Sequence, residues 1–314
     1  MISREVTING KYPLSGTLTL PTSKEMNLPA VLIISGSGKG DRDGNIKNVK
    51  LNIYKELAEI LTMNGFITLR YDKRGTYKSS GNYFETGLYD LIDDAVDAVH
   101  FLRTVQQVDH DKIFILGHSE GALLAPVVSQ KTNISGLILL AGAARPSREI
   151  SKMQIDRVSE EMKNTKGIKG SVIRLLKVPE KLKKQNQKTL EKIKNSDRAV
   201  MRIKGMRMNA KWIRETLEYD IRKYLSEVTC PVLVVSGGKD VQVPPEDAHK
   251  IAEFVRGEVE WHVIEDMNHI LRKYDGIHTM LRLIKEYKWM SHQPIHEELR
   301  EIMISWIKKH VEVQ

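Results

Sequence analysis

The sequence predicts an α/β protein: a mostly parallel sheet with helices on both faces, an antiparallel hairpin at its N-terminal edge, and an inserted helical cap. Three observations carry this. Short β-branched apolar runs alternate with helix-length amphipathic patterns, which is how βαβ units read. The runs are apolar at consecutive positions, as strands covered on both faces must be. The alternation stops after Gly142 and resumes near Cys230, and the segment between carries helical patterns without a strand pattern.

Taken in order, residues 5–9 and 16–20 flank Asn9-Gly10, a turn-forming pair, and read as the hairpin. Strands are expected at 30–35, 66–71, 112–117, 136–141, 232–236 and 259–264. Helices are expected at 49–64, 89–105, 120–130 and 245–255, with a last one at 295–310. Within the insertion, helical patterns cover 147–164, 196–208 and 212–225. This divides the chain into core residues 1–143, an inserted cap at 144–227, and core residues 228–314. The insertion holds five of the twelve methionines (Met153, Met162, Met201, Met206 and Met208), which suit either an adaptable apolar wall or ordinary helix packing.

Bulk composition bounds the function. A chain of 314 residues, 41% hydrophobic and 28% charged, has the profile of a folded globular protein. Its longest early apolar run, residues 30–34, falls far short of a membrane span, and no secretory leader pattern is present, so a cytoplasmic protein without membrane contact is expected. The single cysteine, Cys230, rules out an intramolecular disulfide and sits where a buried strand begins. The net charge of +9 is concentrated: residues 145–223 carry 23 Lys and Arg against 10 Asp and Glu, and the rest of the chain is net −4. No nucleic-acid-binding signature accompanies it, so a solvated basic surface is expected and no nucleic acid partner.

The chemistry is concentrated in "FILGHSEGALL". Gly117-His118-Ser119-Glu120-Gly121 fits G-x-S-x-G between a strand and a helix, the setting of a nucleophile elbow. A turn this tight needs glycines beside Ser119. A serine hydroxyl needs a base to remove its proton, and that base needs an acid to orient it, with the acid and then the histidine following the serine along the chain. Asp240 lies just past the strand in "PVLVVSGGKDVQVPP", and His269 just past the strand in "VEWHVIEDMNHIL". His118 lies inside the elbow, His262 in a strand and His249 on a helix. Asp247 reads as a turn into a helix, and Asp266 is too near His269 in sequence to orient it. An oxyanion needs two backbone donors. Glu120 N–H, directly after the serine, is one. The loop "IISGSGKGDRDGN" offers Ser37 N–H between Gly36 and Gly38 as the other, with Gly38 N–H as the fallback. Its G-S-G-K-G lacks the spacing of a phosphate-binding loop.

On these residues the chain resembles the α/β-hydrolase superfamily, and within it the bacterial serine esterases that carry a Gly-Ser-Gly oxyanion loop followed by Asp-Arg-Asp-Gly. The resemblance covers "GTLTLP", "SGSGKGDRDGN", "RYDKRGTYKSSG", "GHSEG", "SGGKDVQVPP" and "MNH". It implies the α/β-hydrolase fold, a triad of Ser119, Asp240 and His269, and loop-bracing roles for Arg42, Asp43, Arg70, Asp72 and Arg74. It also implies hydrolysis of a small-molecule carboxylic ester through an acyl-enzyme, with no metal and no cofactor. Serine peptidase or amidase, acyl thioesterase and macrocyclic lactone esterase activities use the same triad. The chain departs from the subgroup at Lys39 and Tyr77, either of which is placed to reshape the pocket. Residues 271–294 form a long, aromatic and basic connection expected to add a second wall, and the cap's charge favours anionic substrates. The oligomeric state is left open.

Overall fold

A computed structural model describes residues 1–23 and 25–312. Eight strands form one sheet: β1 (Ile2–Ile8), β2 (Leu14–Leu20), β3 (Leu28–Ile34), β4 (Ile67–Tyr71), β5 (Val108–His118), β6 (Gly136–Leu140), β9 (Val232–Gly237) and β10 (Val259–Ile264). Their spatial order is β1-β2-β4-β3-β5-β6-β9-β10. The β1–β2 and β2–β4 pairs are antiparallel and every other pair is parallel. The hairpin loop spans residues 9–13, since Ile8 pairs with Leu14, and is longer than a tight Asn9-Gly10 turn.

Period-two alternation divides the core. Ala30, Leu32 and Ile34 of β3 face α2 (Leu88–Thr104), α3 (Glu120–Lys131) and α9 (Asp247–Phe254). Val31 and Ile33 face α1 (Ile53–Met63) and α11 (Glu297–Glu312). Each fully buried Leu or Ile contributes about 1.5–3 kcal/mol, and β3, β5, β6 and β9 are buried along most of their length. Both faces of these central strands are therefore sealed, which leaves the loops at the strand ends as the place where a catalytic site can form.

Between β6 and β9 the chain inserts α4 (Ser147–Lys163), α5 (Gly167–Leu175), α6 (Val178–Lys194), β7 (Val200–Ile203), β8 (Met206–Asn209), α7 (Ala210–Glu218) and α8 (Arg222–Leu225). The helix expected over 196–208 is instead the β7–β8 hairpin, with Ile203 paired to Met206. Lys204 (φ 50°) and Gly205 (φ 80°) both adopt left-handed backbone, as a two-residue type I′ turn requires. The helix expected over 212–225 breaks into α7 and α8 at Tyr219, whose extended backbone ends α7. Tyr219 is buried, and its hydroxyl donates to Leu123 O at 2.5 Å, fixing the insertion to α3. At the other root, fully buried Asp247 accepts from Ala144 N at 3.1 Å and pairs with Arg145.

The connection from residue 271 contains α10 (Leu283–Trp289). No helix among the described residues is long and apolar enough to cross a membrane.

Candidate active site

Ser119 stands between β5 and α3 with φ 55° and ψ −111°, a conformation costly for a residue with a Cβ and retained where the surroundings enforce it. The adjoining glycines are there for space. A Cβ on Gly117 would lie 2.3 Å from Gly121 O, and one on Gly121 would lie 2.1 Å from Ile34 O. Only glycine lets β5, the elbow and α3 come this close.

Asp240 follows β9 and His269 follows β10, and their loops pack back to back because Gly237 leaves room for Met267 O, which a Cβ would meet at 2.2 Å. Three side chains fall in line. His269 Nε2 lies 3.1 Å from Ser119 Oγ, and His269 Nδ1 lies 2.6 Å from Asp240 Oδ2. The other Asp240 oxygen accepts from Gln242 N at 2.7 Å and Val243 N at 3.0 Å, which holds the carboxylate in a nearly closed environment. Asp240 and His269 are both buried, while Ser119 faces a cavity. Their arrangement fixes the tautomer: Nδ1–H donates to Asp240, leaving Nε2 to accept from the serine hydroxyl.

Gly36 and Gly38 bracket Ser37 after β3. Gly36 N–H donates to Tyr54 Oη at 2.7 Å, and Gly36 O accepts from Lys73 Nζ at 2.5 Å. Among the described residues the Ser37 amide meets no acceptor, and the Glu120 amide, first in α3, has none within the helix. Ser37, Ser119 and Glu120 line the same cavity.

Several contributors were not legible from the sequence. Tyr54 Oη lies 3.0 Å from His118 Nδ1, and His118 Nε2 lies 2.9 Å from His269 O. Burial raises the Tyr54 phenol far above its ordinary value, so Tyr54 keeps its proton and donates it to His118, which in turn donates to His269 O. The chain of bonds ties the Gly36 loop to the His269 loop. Burial, then repulsion from His269, lowers the His118 pKa to about 3, so His118 is neutral and serves as a structural histidine.

Glu120 engages its surroundings through its side chain as well as its backbone. Beside the backbone amide expected from the sequence, its carboxylate is buried, pairs with Lys73 at 2.5 Å and accepts from Trp212 Nε1 at 2.8 Å. One side chain thus links the elbow, the Gly36 loop and the insertion. Arg272, fully buried, pairs with Glu56 at 2.5 Å and donates to Leu51 O at 2.8 Å, bracing the His269 loop.

The remaining predicted residues take supporting places. Arg42 pairs with Asp72 at 2.7 Å, Arg70 with Asp43 at 2.7 Å, and Arg74 with Asp94 at 2.5 Å. Lys39 lies over the rings of Tyr83 and Phe84, at 4.5 and 4.0 Å from their centroids. Tyr77 is exposed and adopts φ 43°, a backbone that glycine takes at no cost. Burial pushes the Cys230 thiol up to about 11, which leaves it unreactive at neutral pH. Among the described residues no group of three His, Cys, Asp or Glu side chains is arranged to hold a metal ion.

The cavity at Ser119 measures about 170 Å³ and combines core residues Leu88, Leu123 and Ala143 with Ile150, Gln154 and Trp212 of the insertion. Beyond Trp212 and Glu120 lies a second space of about 190 Å³ between Lys73, Arg74, Tyr83 and Asn209. None of the insertion's five methionines lines either; Met206 is exposed, and Met153 faces a different depression beside Asp240. The 271–294 connection supplies no lining residue. It acts indirectly, through Gln242 Nε2 donating to Tyr287 Oη at 3.0 Å and Glu161 of α4 accepting from Met280 N at 2.9 Å.

The chain is 28% identical over 285 residues to Esterase EstD of Thermotoga maritima, across 90% of this chain, and spans 63% of that relative's length. Its fold is similar to Est1E from Butyrivibrio proteoclasticus, solved with ferulic acid, at a TM-score of 0.58 and 20% identity, covering 92% of this chain and 98% of that one. It is similar also to the α/β hydrolase GrgF from a Penicillium species, at a TM-score of 0.62 and 15% identity, covering 99% of each. The fold is that of the α/β hydrolases. A family model described as serine aminopeptidase, S33, matches residues 48–273, the greater part of the chain, and the protein belongs to that family.

Proposed function

We propose that this protein is a serine hydrolase that cleaves carboxylic esters through an acyl-enzyme. The observation carrying the proposal is the Ser119–His269–Asp240 line, at 3.1 and 2.6 Å, raised on a strained elbow beside two unengaged amides. His269, oriented by Asp240, takes the Ser119 proton as Oγ attacks the ester carbonyl. The Ser37 and Glu120 amides receive the oxyanion, and His269 then protonates the departing alkoxide. Water, deprotonated by the same histidine, attacks the acyl-enzyme and releases the acid and Ser119. His118 stays neutral throughout, so it adds no positive charge beside His269 while that ring is an imidazolium.

The insertion acts as a cap. Ile150, Gln154 and Trp212 close the Ser119 cavity, and its 170 Å³ suits a short acyl or alcohol group. The similarity to Esterase EstD supports the ester reading.

The family's description raises aminopeptidase activity as the second reading. A free substrate amine needs a carboxylate to receive it, and Glu120 supplies the sole acidic side chain lining the cavity among the described residues. Its two oxygens are already engaged by Lys73 and Trp212. The balance therefore favours esters. Turnover of p-nitrophenyl esters of increasing acyl length, measured beside aminoacyl anilides, tests this. Ester hydrolysis that falls off with chain length and vanishes in Ser119→Ala is expected, whereas faster cleavage of the anilides would overturn the ester assignment.

A further inference from the structure

Helix α5 is amphipathic in the unusual sense that its apolar stripe faces outward. Ile168 is 86% exposed and Leu175 80%, with Val172 and Leu176 exposed beside them at helical spacing. A second set lies on the connection after β10: Ile277 is 87% exposed and Trp289 65%, with Leu281 and Ile284 between them. The two segments meet at one depression, where Lys166 and Lys169 of the α5 region face Thr279, Leu281 and Arg282; of the apolar residues named, Leu281 lines it and the others stand on the exposed surface to either side. Clustered exposure of this kind marks a surface that meets something apolar.

The charge around it narrows the occupant. Residues 163–194 contain 11 Lys and Arg against 2 Asp and Glu, and the lysines of α6 are exposed. Of the nearby acids, Glu161 is occupied by the Met280 and Leu281 amides and Glu286 by His278, which leaves exposed Glu160 as one acid among the cations lining the depression. A second copy meeting this face through a two-fold axis would set like charge against like charge. Nucleic acid would leave the aliphatic Ile and Leu side chains without a counterpart. Apolar anchors rimmed by cations fit the interface of a bilayer whose headgroups are anionic.

We propose that α5 and the 277–289 segment form a peripheral docking surface for anionic lipid bilayers. Ile168, Leu175 and Trp289 enter the headgroup boundary while the surrounding lysines face the lipid phosphates. That no helix among the described residues is long and apolar enough to cross a membrane bears on spanning and leaves docking at its surface open. Helix α4 connects this surface to the cavity: Ile150 and Gln154 line the space at Ser119, and Glu160 and Glu161 further along the same helix border the depression. Docking would thus bring the cavity near substrates partitioned into lipid, a step that rests on the proposed ester hydrolysis, whereas docking itself does not.

Co-sedimentation with vesicles tests it directly. The protein is expected to bind phosphatidylcholine vesicles containing phosphatidylglycerol, to bind pure phosphatidylcholine at least about tenfold more weakly, and to release as salt rises. Ile168→Asp/Leu175→Asp changes two exposed positions, and Lys166→Glu/Lys169→Glu reverses the rim. Each is expected to lower the partition coefficient about tenfold or more while turnover of a short water-soluble ester is unchanged. Failure to bind the anionic vesicles, or binding that survives Ile168→Asp/Leu175→Asp, would overturn the proposal. So would a dimer in light scattering that this variant dissociates, if vesicle binding is absent.

Discussion

Replacing Lys73 with methionine separates two consequences of the buried network at the elbow. The Lys73 and Glu120 side chains are each 5% exposed and 2.5 Å apart, so the pair is held almost without water. Methionine keeps much of the volume of lysine but leaves the Glu120 carboxylate with Trp212 Nε1 as its remaining side-chain donor. Removing one partner of a buried pair costs about 3–5 kcal/mol, a large part of the roughly 5–15 kcal/mol that holds a domain together. Adding Glu120→Gln removes the stranded charge and still accepts from Trp212, so the double variant should regain most of that loss, to within about 1–2 kcal/mol of wild type. Denaturant unfolding followed by circular dichroism at neutral pH measures all three proteins. The same lysine anchors Gly36 O, so the Ser37 amide loses its support in both variants. Loss of one oxyanion donor costs about 10²–10³ in kcat, and a fall of at least about tenfold is expected even in the restabilised double variant. A Lys73→Met protein within about 0.5 kcal/mol of wild type, or a double variant no more stable than the single, would refute the desolvated-pair reasoning.

Two further outcomes follow from the site. Asp240→Asn keeps the shape but removes the charge that fixes the His269 tautomer; by analogy with the chymotrypsin-type case, kcat should drop by about 10⁴ with little change in stability, and steady-state ester kinetics with a thermal melt checks both. The buried His118 has its pKa held at about 3 against an ordinary 6.5, so as pH falls below 6.5 the unfolded chain gains a proton that the folded one refuses. This group therefore removes stability between pH 6.5 and 3, by up to about 1.4 kcal/mol per pH unit, and His118→Gln should unfold with a correspondingly shallower pH dependence across that window; equal slopes would contradict the assignment.

What was legible in the sequence was whatever local sterics or strand ends dictate. The elbow could be read because no residue but glycine fits at Gly117 and Gly121, and Asp240 and His269 because each lies in the loop that follows a β-branched strand. The β7–β8 hairpin was missed because Val200 to Asn209 mixes Met, Arg and Lys, which carry little contrast between helix and strand; Lys204-Gly205 was the available signal. The Tyr54–His118–His269 chain and the Lys73–Glu120–Trp212 network were illegible because their partners lie 47 to 151 residues apart and meet only once the sheet is assembled. The insertion's methionines and the 271–294 connection fitted a pocket wall by composition, which does not determine the direction a side chain faces.

The central claim is that one serine, activated by His269, carries the chemistry. Labelling the folded protein with a fluorophosphonate and mapping the modified peptide tests it most directly. The account predicts a single adduct on Ser119, absent from Ser119→Ala, whose ester hydrolysis falls by at least about 10³-fold. An adduct on any other residue, or a Ser119→Ala protein that still hydrolyses esters at the wild-type rate, would contradict it.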